Sequence, residues 1–229
     1  MRRGAAFLCP AAFYCPAPFP AAGAPARGRR TVKALPWPGL LADAVQALAE
    51  GGGQAEAIVR GNALGTVHIH DAFCPVIAPG GCLVDTSSMS AYLAPKFIMP
   101  QKAFRLAGTD RAAFLKKMVA RVNLLPKSAR PGAAYAISKY FVIWYARHEA
   151  ARFGARGARV LSVTPGIFET PMGQLEKDEA GAYLSYNAIP RPGRPEEIAT
   201  LFAAVCSPEM GCLTGTDILC DGGCVAGRR

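Results

Sequence analysis

Cys82-Leu-Val-Asp-Thr-Ser-Ser88 follows two glycines and joins a short apolar run to two hydroxyl side chains. A run of this kind, bounded by turn residues, predicts a buried strand over residues 82–86. Side chains that follow the carboxyl end of a parallel strand lie where open α/β sheets bind their ligands. The stretch therefore predicts a central strand and one wall of a ligand site.

Helical and extended patterns alternate on both sides of this stretch. Helices are predicted over residues 40–50, 63–78, 109–123, 133–153 and 195–205, and further strands over 158–163 and 216–220. This alternation is typical of an α/β fold with a doubly wound parallel sheet and helices on both faces. The chain has 229 residues, of which 51% are hydrophobic, and this suits a single domain with a sizeable core. We place that domain at residues 39–229.

The net charge of +10 is unevenly distributed. Residues 1–42 contain six basic side chains and no acid, whereas residues 43–229 contain 20 basic and 16 acidic ones. Residues 1–38 are also rich in Pro, Ala and Arg, so we expect a disordered or aberrant segment there. Nucleic-acid binders usually present a basic stripe on a folded element, and we expect no nucleic-acid partner.

Neither a membrane span nor a metal site is indicated. No apolar run reaches the roughly 18 residues that a membrane helix needs. The eight cysteines include no Cys-x-x-Cys pair and only three histidines accompany them, which is a poor zinc pattern. We expect a cytoplasmic protein with reduced thiols.

The segment Tyr135-Ala-Ile-Ser-Lys139 carries the candidate chemistry. On a helix its first and last residues lie on one face, one turn apart. A phenol normally titrates near pH 10, and a neighbouring ammonium lowers its pKa by favouring the phenolate. The pair could instead be an ordinary contact on a helix surface, and the spacing alone does not decide between these readings.

The surrounding motifs decide in favour of chemistry. Ser87-Ser88 ends one strand, and Thr164-Pro-Gly-Ile-Phe-Glu-Thr170 follows another. Ser-Ser, then Tyr-x-x-x-Lys, then Pro-Gly with a threonine four residues beyond the glycine resembles the short-chain dehydrogenase/reductase family. Gly193-Arg-Pro-Glu-Glu-Ile-Ala199 and residues 214–223 are similar to the C-terminal segments of that family. The resemblance covers residues 62–229 and implies a Rossmann-like fold.

The resemblance implies a set of catalytic residues. Tyr135 would exchange a proton with a carbonyl or alcohol oxygen, and Lys139 would lower its pKa and bind the nicotinamide ribose. Ser88 would hold the substrate oxygen, with Ser87 the less favoured of the two. Asn62 would help a water relay protons to the lysine, although it could also, or instead, be the N-cap of a helix that begins at residue 63.

The resemblance also implies a cofactor, NAD or NADP, and a substrate that is a secondary alcohol or its carbonyl counterpart. Tyr135 and Lys139 would contact the cofactor, together with Pro165, Gly166, Ile167 and Thr170. Residues 168–187 would form the substrate loop. A homodimer or homotetramer is expected from the habit of the family.

An insertion at about residues 92–131 separates Ser88 from Tyr135. It resembles an insertion in bacterial 3α-hydroxysteroid dehydrogenase/carbonyl reductases, which suggests a hydroxysteroid-like substrate. Its predicted helix has one apolar face, formed by Phe114, Leu115, Met118, Val119 and Val122. The insertion could cap the substrate site, alter contacts between subunits, or be a solvated excursion.

The front of the family fold is not recognisable. The chain contains no Gly-x-x-x-Gly-x-Gly, and only 61 residues precede Asn62, whereas one βαβ unit takes about 30. We expect the N-terminal segment to be truncated, spliced or read in a wrong frame. The alternative function is therefore an impaired remnant that acts as an interaction protein. Its helix 133–153 would offer four aromatic residues, which could equally be core: Tyr140, Phe141, Trp144 and Tyr145.

Overall fold

The computed structural model describes residues 12–15, 54–169 and 177–228. The predicted helix at 40–50 and Thr170 lie outside these residues. The strands are β1 Ala12–Cys15, β2 Cys82–Thr86, β3 Arg159–Pro165 and β4 Asp217–Cys220. The α-helices are α1 Gln54–Val59, α2 Gly65–Phe73, α3 Ser90–Leu93, α4 Gln101–Phe104, α5 Arg111–Asn123, α6 Arg130–Gly154, α7 Lys177–Leu184, α8 Pro195–Cys206 and α9 Cys224–Gly227.

The four described strands form one sheet in the order β1-β2-β3-β4. β2, β3 and β4 are parallel, with Val84 beside Leu161 and Val163 beside Ile218. This confirms the predicted α/β fold and its parallel sheet. β1 pairs with β2 in the antiparallel direction, with Phe13 beside Val84, and it is an element that the sequence did not predict.

Helices cover both faces of the sheet. On one face α2 and α6 pack on β2 and β3, where Ile69 and Phe153 meet Leu83 and Val160. On the other face α8 packs on the same strands through Val205, Cys206 and a half-buried row that includes Leu201. Side chains alternate between the faces along each strand, so every central residue of β2 and β3 is buried on one face or the other.

The helix that carries Asn62 begins nine residues earlier than the sequence predicts. A continuous helical stretch runs from Gln54 to Phe73, and residues Arg60–Leu64 form a π-helical turn between α1 and α2. Asn62 therefore lies inside a helix, and its N-cap interpretation is wrong. Asn62, a favoured N-cap residue, suggested a helix start at residue 63, but the π turn keeps the backbone helical through that point.

The insertion is part of the hydrophobic core. Phe114, Met118 and Val122 of α5 are fully buried and pack with Ile58 of α1 and Phe141 of α6. The solvated-excursion interpretation is therefore wrong. The predicted apolar face is confirmed. Asp110 is the N-cap of α5, and its carboxylate accepts a hydrogen bond from the Ala113 N–H at 2.9 Å.

The aromatic residues of α6 belong to the same core. Phe141 and Tyr145 are buried, and Tyr140 and Trp144 pack against them from half-buried positions. Their rings lie in contact with Phe104 and Phe114 of the insertion. These residues are accordingly core residues within the chain.

Candidate active site

Ser87 and Ser88 follow β2 and differ in what their hydroxyls do. Ser87 is buried, and its hydroxyl donates a hydrogen bond to the Lys139 carbonyl oxygen at 2.8 Å. Ser88 is half-buried, and its Oγ lies 3.2 Å from the Oγ of Ser90 and accepts from the Ser90 N–H at 3.3 Å. Ser88, not Ser87, therefore presents its hydroxyl at the surface of the site.

The backbone on either side of Ser88 fixes its position between β3 and α6. The hydroxyl of Ser87 contacts α6 at Lys139, and the Met89 N–H donates to the Pro165 carbonyl oxygen at 2.9 Å. Ser88 thus lies where the end of β2 meets the end of β3 and the N-terminal half of α6. The carboxyl ends of parallel strands are the usual ligand-binding edge of such a sheet.

Tyr135 and Lys139 lie one turn apart on α6, as the sequence predicts. The ammonium nitrogen of Lys139 lies 5.8 Å from the centre of the Tyr135 ring. It donates a hydrogen bond to the Thr86 carbonyl oxygen at 3.1 Å, two residues before Ser88. Lys139 is only 2% exposed, whereas Tyr135 is half-buried, so the ammonium lies behind a phenol that solvent can reach.

Asn62 joins this group through the neighbour of Lys139. Its side chain is fully buried, and its Nδ2 donates to the Ser138 hydroxyl oxygen at 3.1 Å. The backbone carbonyl oxygen of Asn62 accepts a hydrogen bond from the Thr66 hydroxyl at 2.7 Å. The π turn therefore brings Asn62 against α6 one residue away from Lys139.

Pro165, Gly166 and Ile167 lie at the carboxyl end of β3, half-buried. The Gly166 N–H donates to the Cys220 carbonyl oxygen at 2.9 Å. A Cβ at Gly166 would lie 2.6 Å from the Asp221 Cα, so only glycine allows these two backbones to approach. The segment is held against the end of β4, next to the Ser88 region that Pro165 contacts.

Asp217, which was not among the site residues predicted from the sequence, connects β3 and β4 through its carboxylate. Asp217 accepts hydrogen bonds from the hydroxyls of Ser162, Thr164 and Tyr92, the last at 2.6 Å. Burial and the bond to Asp217 raise the pKa of Tyr92. Tyr92 belongs to α3, immediately after Ser88, so this bond ties the Ser88 segment to the sheet.

A buried histidine and a buried aspartate, also not predicted from the sequence, are in contact beside the site. His70 Nε2 lies 2.7 Å from Asp85 Oδ2, and neither side chain is more than 3% exposed. His70 follows Asn62 by two helical turns on the same side of the stretch, and Asp85 precedes Ser88 by three residues. The sequence did offer one signal, because Asp85 lies inside an apolar strand. A buried carboxylate needs a polar partner.

Two further properties concern the described residues as a whole. They contain no cluster of three or more His, Cys, Asp and Glu side chains arranged to hold a metal ion. None of their helices has the length and apolarity to cross a bilayer.

Comparison with known proteins places the chain among known enzymes. A family model described as Enoyl-(Acyl carrier protein) reductase matches residues 119–225. The 3-alpha-hydroxysteroid dehydrogenase/carbonyl reductase of Comamonas testosteroni is 31% identical over 181 residues, which are 75% of this chain and 67% of that protein. The short-chain dehydrogenase/reductase bsc3 of Alternaria brassicicola is 31% identical over 176 residues, and the match spans 75% of this chain and 63% of that protein.

A solved structure shows the same fold. The 3-alpha-hydroxysteroid dehydrogenase from Pseudomonas sp. B-0831, complexed with NADH, matches with a TM-score of 0.64 and 23% identity. The match covers 84% of this chain and 82% of that one. With the 31% identity to the Comamonas protein over two thirds of its length, the chain belongs to the short-chain dehydrogenase/reductase family.

Proposed function

We propose that the protein is an NAD(P)(H)-dependent oxidoreductase that interconverts a secondary alcohol and its carbonyl counterpart. One observation carries the proposal: the buried Lys139 ammonium lies one turn behind the half-exposed Tyr135 phenol and is held by the carbonyl that precedes the Ser87-Ser88 pair. A lysine ammonium buried beside a phenol that solvent can reach, at the ligand-binding edge of a parallel sheet, is the arrangement that proton transfer at the phenol needs.

The proposed proton transfer takes place at the Tyr135 hydroxyl. In the reduction direction Tyr135 donates its proton to the carbonyl oxygen of the substrate, and in oxidation it accepts the proton of the alcohol. The Lys139 ammonium favours the phenolate form. Ser88 holds the substrate oxygen by a hydrogen bond, since its hydroxyl faces the site while that of Ser87 is bonded to α6. A bound nicotinamide supplies or accepts the hydride.

Asn62 is proposed to support Lys139. Its contact with Ser138 places it beside the lysine from the side of the protein interior. There it would position a water that passes protons to Lys139 after Tyr135 has given its own away. This role rests on the same buried contact that makes Asn62 part of the site.

The residues present fit the nicotinamide end of NAD or NADP. Lys139 would bind the ribose hydroxyls through its ammonium group, which is a donor only. Pro165, Gly166 and Ile167 would line the nicotinamide ring, and we keep Thr170 as a proposed pyrophosphate contact.

The substrate, assembly and location are proposed by analogy. A hydroxysteroid-like or other apolar alcohol is the proposed substrate, because two of the proteins similar to this chain are named as 3-alpha-hydroxysteroid dehydrogenases. We propose a homodimer or homotetramer in the cytoplasm.

A second candidate function is that of an impaired remnant. The observation that favours it is the absence of Gly-x-x-x-Gly-x-Gly from the sequence, since this motif supplies the N–H groups that bind pyrophosphate. Such a chain would keep Ser88, Tyr135 and Lys139 yet bind the cofactor weakly or not at all.

Titration with NADH and with NADPH, followed by nicotinamide fluorescence, separates the two candidates. Saturable binding supports the enzyme, and the better ligand identifies the cofactor. Tyr135→Phe should retain this binding and lose turnover of secondary alcohols. Failure to bind either cofactor at millimolar concentration would favour the remnant.

A further inference from the structure

The insertion carries most of the net charge of the protein. Residues 92–131 contain nine basic side chains and a single acid, Asp110, a net charge of +8 within a total of +10. The proposed oxidoreductase site uses none of them. The catalytic proposal therefore does not explain why the insertion carries so many positive charges.

Among the described residues, eight of the nine basic side chains have no acidic partner, and six of these eight also donate no side-chain hydrogen bond. Arg111 pairs with Asp71, and Arg121 and Arg130 donate to backbone carbonyl groups. The other six are exposed and make no ion pair within residues 54–169 and 177–228. We call them the basic face: Lys96, Lys102, Arg105, Lys116, Lys117 and Lys127.

The basic face lies on the solvent side of the insertion. The other side of α5 is buried through Phe114, Leu115, Met118 and Val122 against α1 and α6. Lys116 and Lys117 therefore project away from the core. The charges are thus displayed outward by a docked helix and its flanking turns.

Two large apolar side chains accompany the basic face. Phe97 is 79% exposed and Leu124 is 75% exposed, the two most exposed large apolar residues of the described chain. Both lie close to Arg121 along the chain or in space, because the Arg121 guanidinium contacts the carbonyl oxygen of Phe97, and Leu124 follows Arg121 by three residues. Exposed apolar groups among lysines mark an interaction surface more strongly than either feature alone.

We propose that the insertion binds the surface of an anionic lipid bilayer, with Phe97 and Leu124 entering the headgroup region. Clusters of four to eight Lys and Arg on an amphipathic helix are attracted to acidic lipids, and adjacent apolar side chains anchor such a surface at the acyl boundary. Five of the six residues are Lys, which act as point charges. Nucleic-acid recognition relies more on the bidentate contacts of Arg.

The surface is connected to Tyr135 through the packing of the insertion. Ile98 and Met99, next to Phe97, pack in the same cluster as Tyr135. Binding itself does not depend on the proposed catalytic function.

Vesicle co-sedimentation of the full chain tests the proposal. We expect binding to phosphatidylcholine vesicles that contain phosphatidylserine, no binding to phosphatidylcholine alone, and release at about 1 M salt. The triple variant Lys116→Gln, Lys117→Gln, Lys127→Gln should weaken binding by about 100-fold, since each surface lysine contributes about a factor of five. Circular dichroism checks that it remains folded.

The N-terminal arginines provide the matched control. Arg2→Gln, Arg3→Gln and Arg27→Gln remove the same charge from the other acid-free stretch and should leave binding within about twofold of the unchanged chain, because the proposal gives these residues no part in it. Loss of binding in this control with retention in the insertion variant would overturn the assignment. So would binding to duplex DNA without binding to acidic vesicles, or the absence of any vesicle binding at low salt.

Fluorescence tests the apolar contact separately. Phe97→Trp adds an indole at the tip of the surface, and its emission should shift to shorter wavelength with acidic vesicles and be quenched by brominated lipid. An unchanged emission during binding would show that Phe97 stays outside the bilayer, which contradicts the proposed anchoring. Neither measurement involves a cofactor, so failure here is distinct from failure of the oxidoreductase proposal.

Discussion

Ser87 and Ser88, the adjacent serines that follow β2, have different roles: we assign Ser87 to the stability of the fold and Ser88 to the proposed reaction. The Ser87 hydroxyl is buried against the backbone of α6, whereas the Ser88 hydroxyl is half-buried and contacts the nearby Ser90. The sequence offered both as candidates for the substrate contact and favoured Ser88. Which of two neighbouring hydroxyls faces inward depends on the path of the chain after the strand, and the structure supplies that path.

The two serines should respond differently to removal of the hydroxyl. Ser87→Ala should lower the free energy of unfolding by about 1 kcal/mol, because a buried hydrogen bond is lost. Ser88→Ala should leave stability unchanged and lower kcat about a hundredfold or more, as expected when a donor to the reacting oxygen is removed. Urea denaturation and turnover of a secondary alcohol measure the two effects. The reverse pattern would assign the substrate contact to Ser87.

Polar partners from distant parts of the chain are the part of the site that the sequence could not reveal. Asp217, Tyr92, His70 and Asp85 come from distant positions, and their pairing depends on how helices and strands meet. By contrast, Tyr135 and Lys139 are related by a single helical turn, so their proximity follows from local geometry. Local spacing was predictable, and contacts across 15 to 125 residues were not.

At the scale of elements, the strands and long helices follow from their patterns. β2 was predicted with its observed bounds, and the predicted ends of α5, α6 and α8 lie within three residues of those observed. The π turn at Arg60–Leu64 was missed because it is a local change of hydrogen bonding within an otherwise helical pattern. That missed turn is also what places Asn62 against α6.

The docking of α5 gives a prediction on stability. Phe114 is fully buried between α5 and α6, so Phe114→Ala should lower the free energy of unfolding by about 3–5 kcal/mol. Lys116→Ala, on the exposed side of the same helix, should change it by less than about 0.5 kcal/mol. Chemical denaturation of both variants measures this. Equal, small effects would mean that α5 is not held in the core.

The start of α8 gives a prediction on pH. Hydrogen bonds from Arg191 and from the Arg194 backbone lower the pKa of Glu197 from 4.5 to about 2. A carboxylate with a depressed pKa stabilises the fold fully above pH 4.5, and this contribution disappears as the pH falls toward 2.

Glu197→Gln isolates this contribution. The stability difference between the unchanged chain and the variant should be constant above about pH 5 and shrink between pH 4.5 and 2. Thermal melts across this range at low salt measure the difference, and high salt should reduce it because the group is exposed. A difference that persists at pH 2 would indicate that the amide changes packing rather than charge.

At the scale of the whole molecule, the site depends on the agreement of several elements. β2 supplies Ser88, α6 supplies Tyr135 and Lys139, and the π turn supplies Asn62. The buried His70–Asp85 contact joins the helix of Asn62 to the strand of Ser88, and Tyr92 joins the segment after Ser88 to β4. Misplacing one of these elements would therefore disturb more than one site residue.

The sheet itself continues beyond β2 through a strand that the sequence pattern concealed. Ala12–Cys15 lies between two prolines in a segment predicted to be disordered. Its backbone nevertheless pairs with four of the five residues of β2, from Cys82 to Asp85. Pairing across some 70 residues cannot be inferred from local composition. It nevertheless matters for the site, because β2 carries Ser88 at its end.

A double substitution in β1 tests whether this pairing supports β2. Phe13→Pro and Tyr14→Pro together remove the N–H of two successive residues, so whichever of them faces β2 can no longer donate. We expect a loss of about 1 kcal/mol or more in stability and faster hydrogen exchange at the β2 amides, since each ladder bond contributes about 0.5–1.5 kcal/mol. Ala22→Pro, in the same segment but outside β1, is the control and should leave both unchanged. Unaltered β2 exchange in the double variant would show that β2 is held by β3 alone.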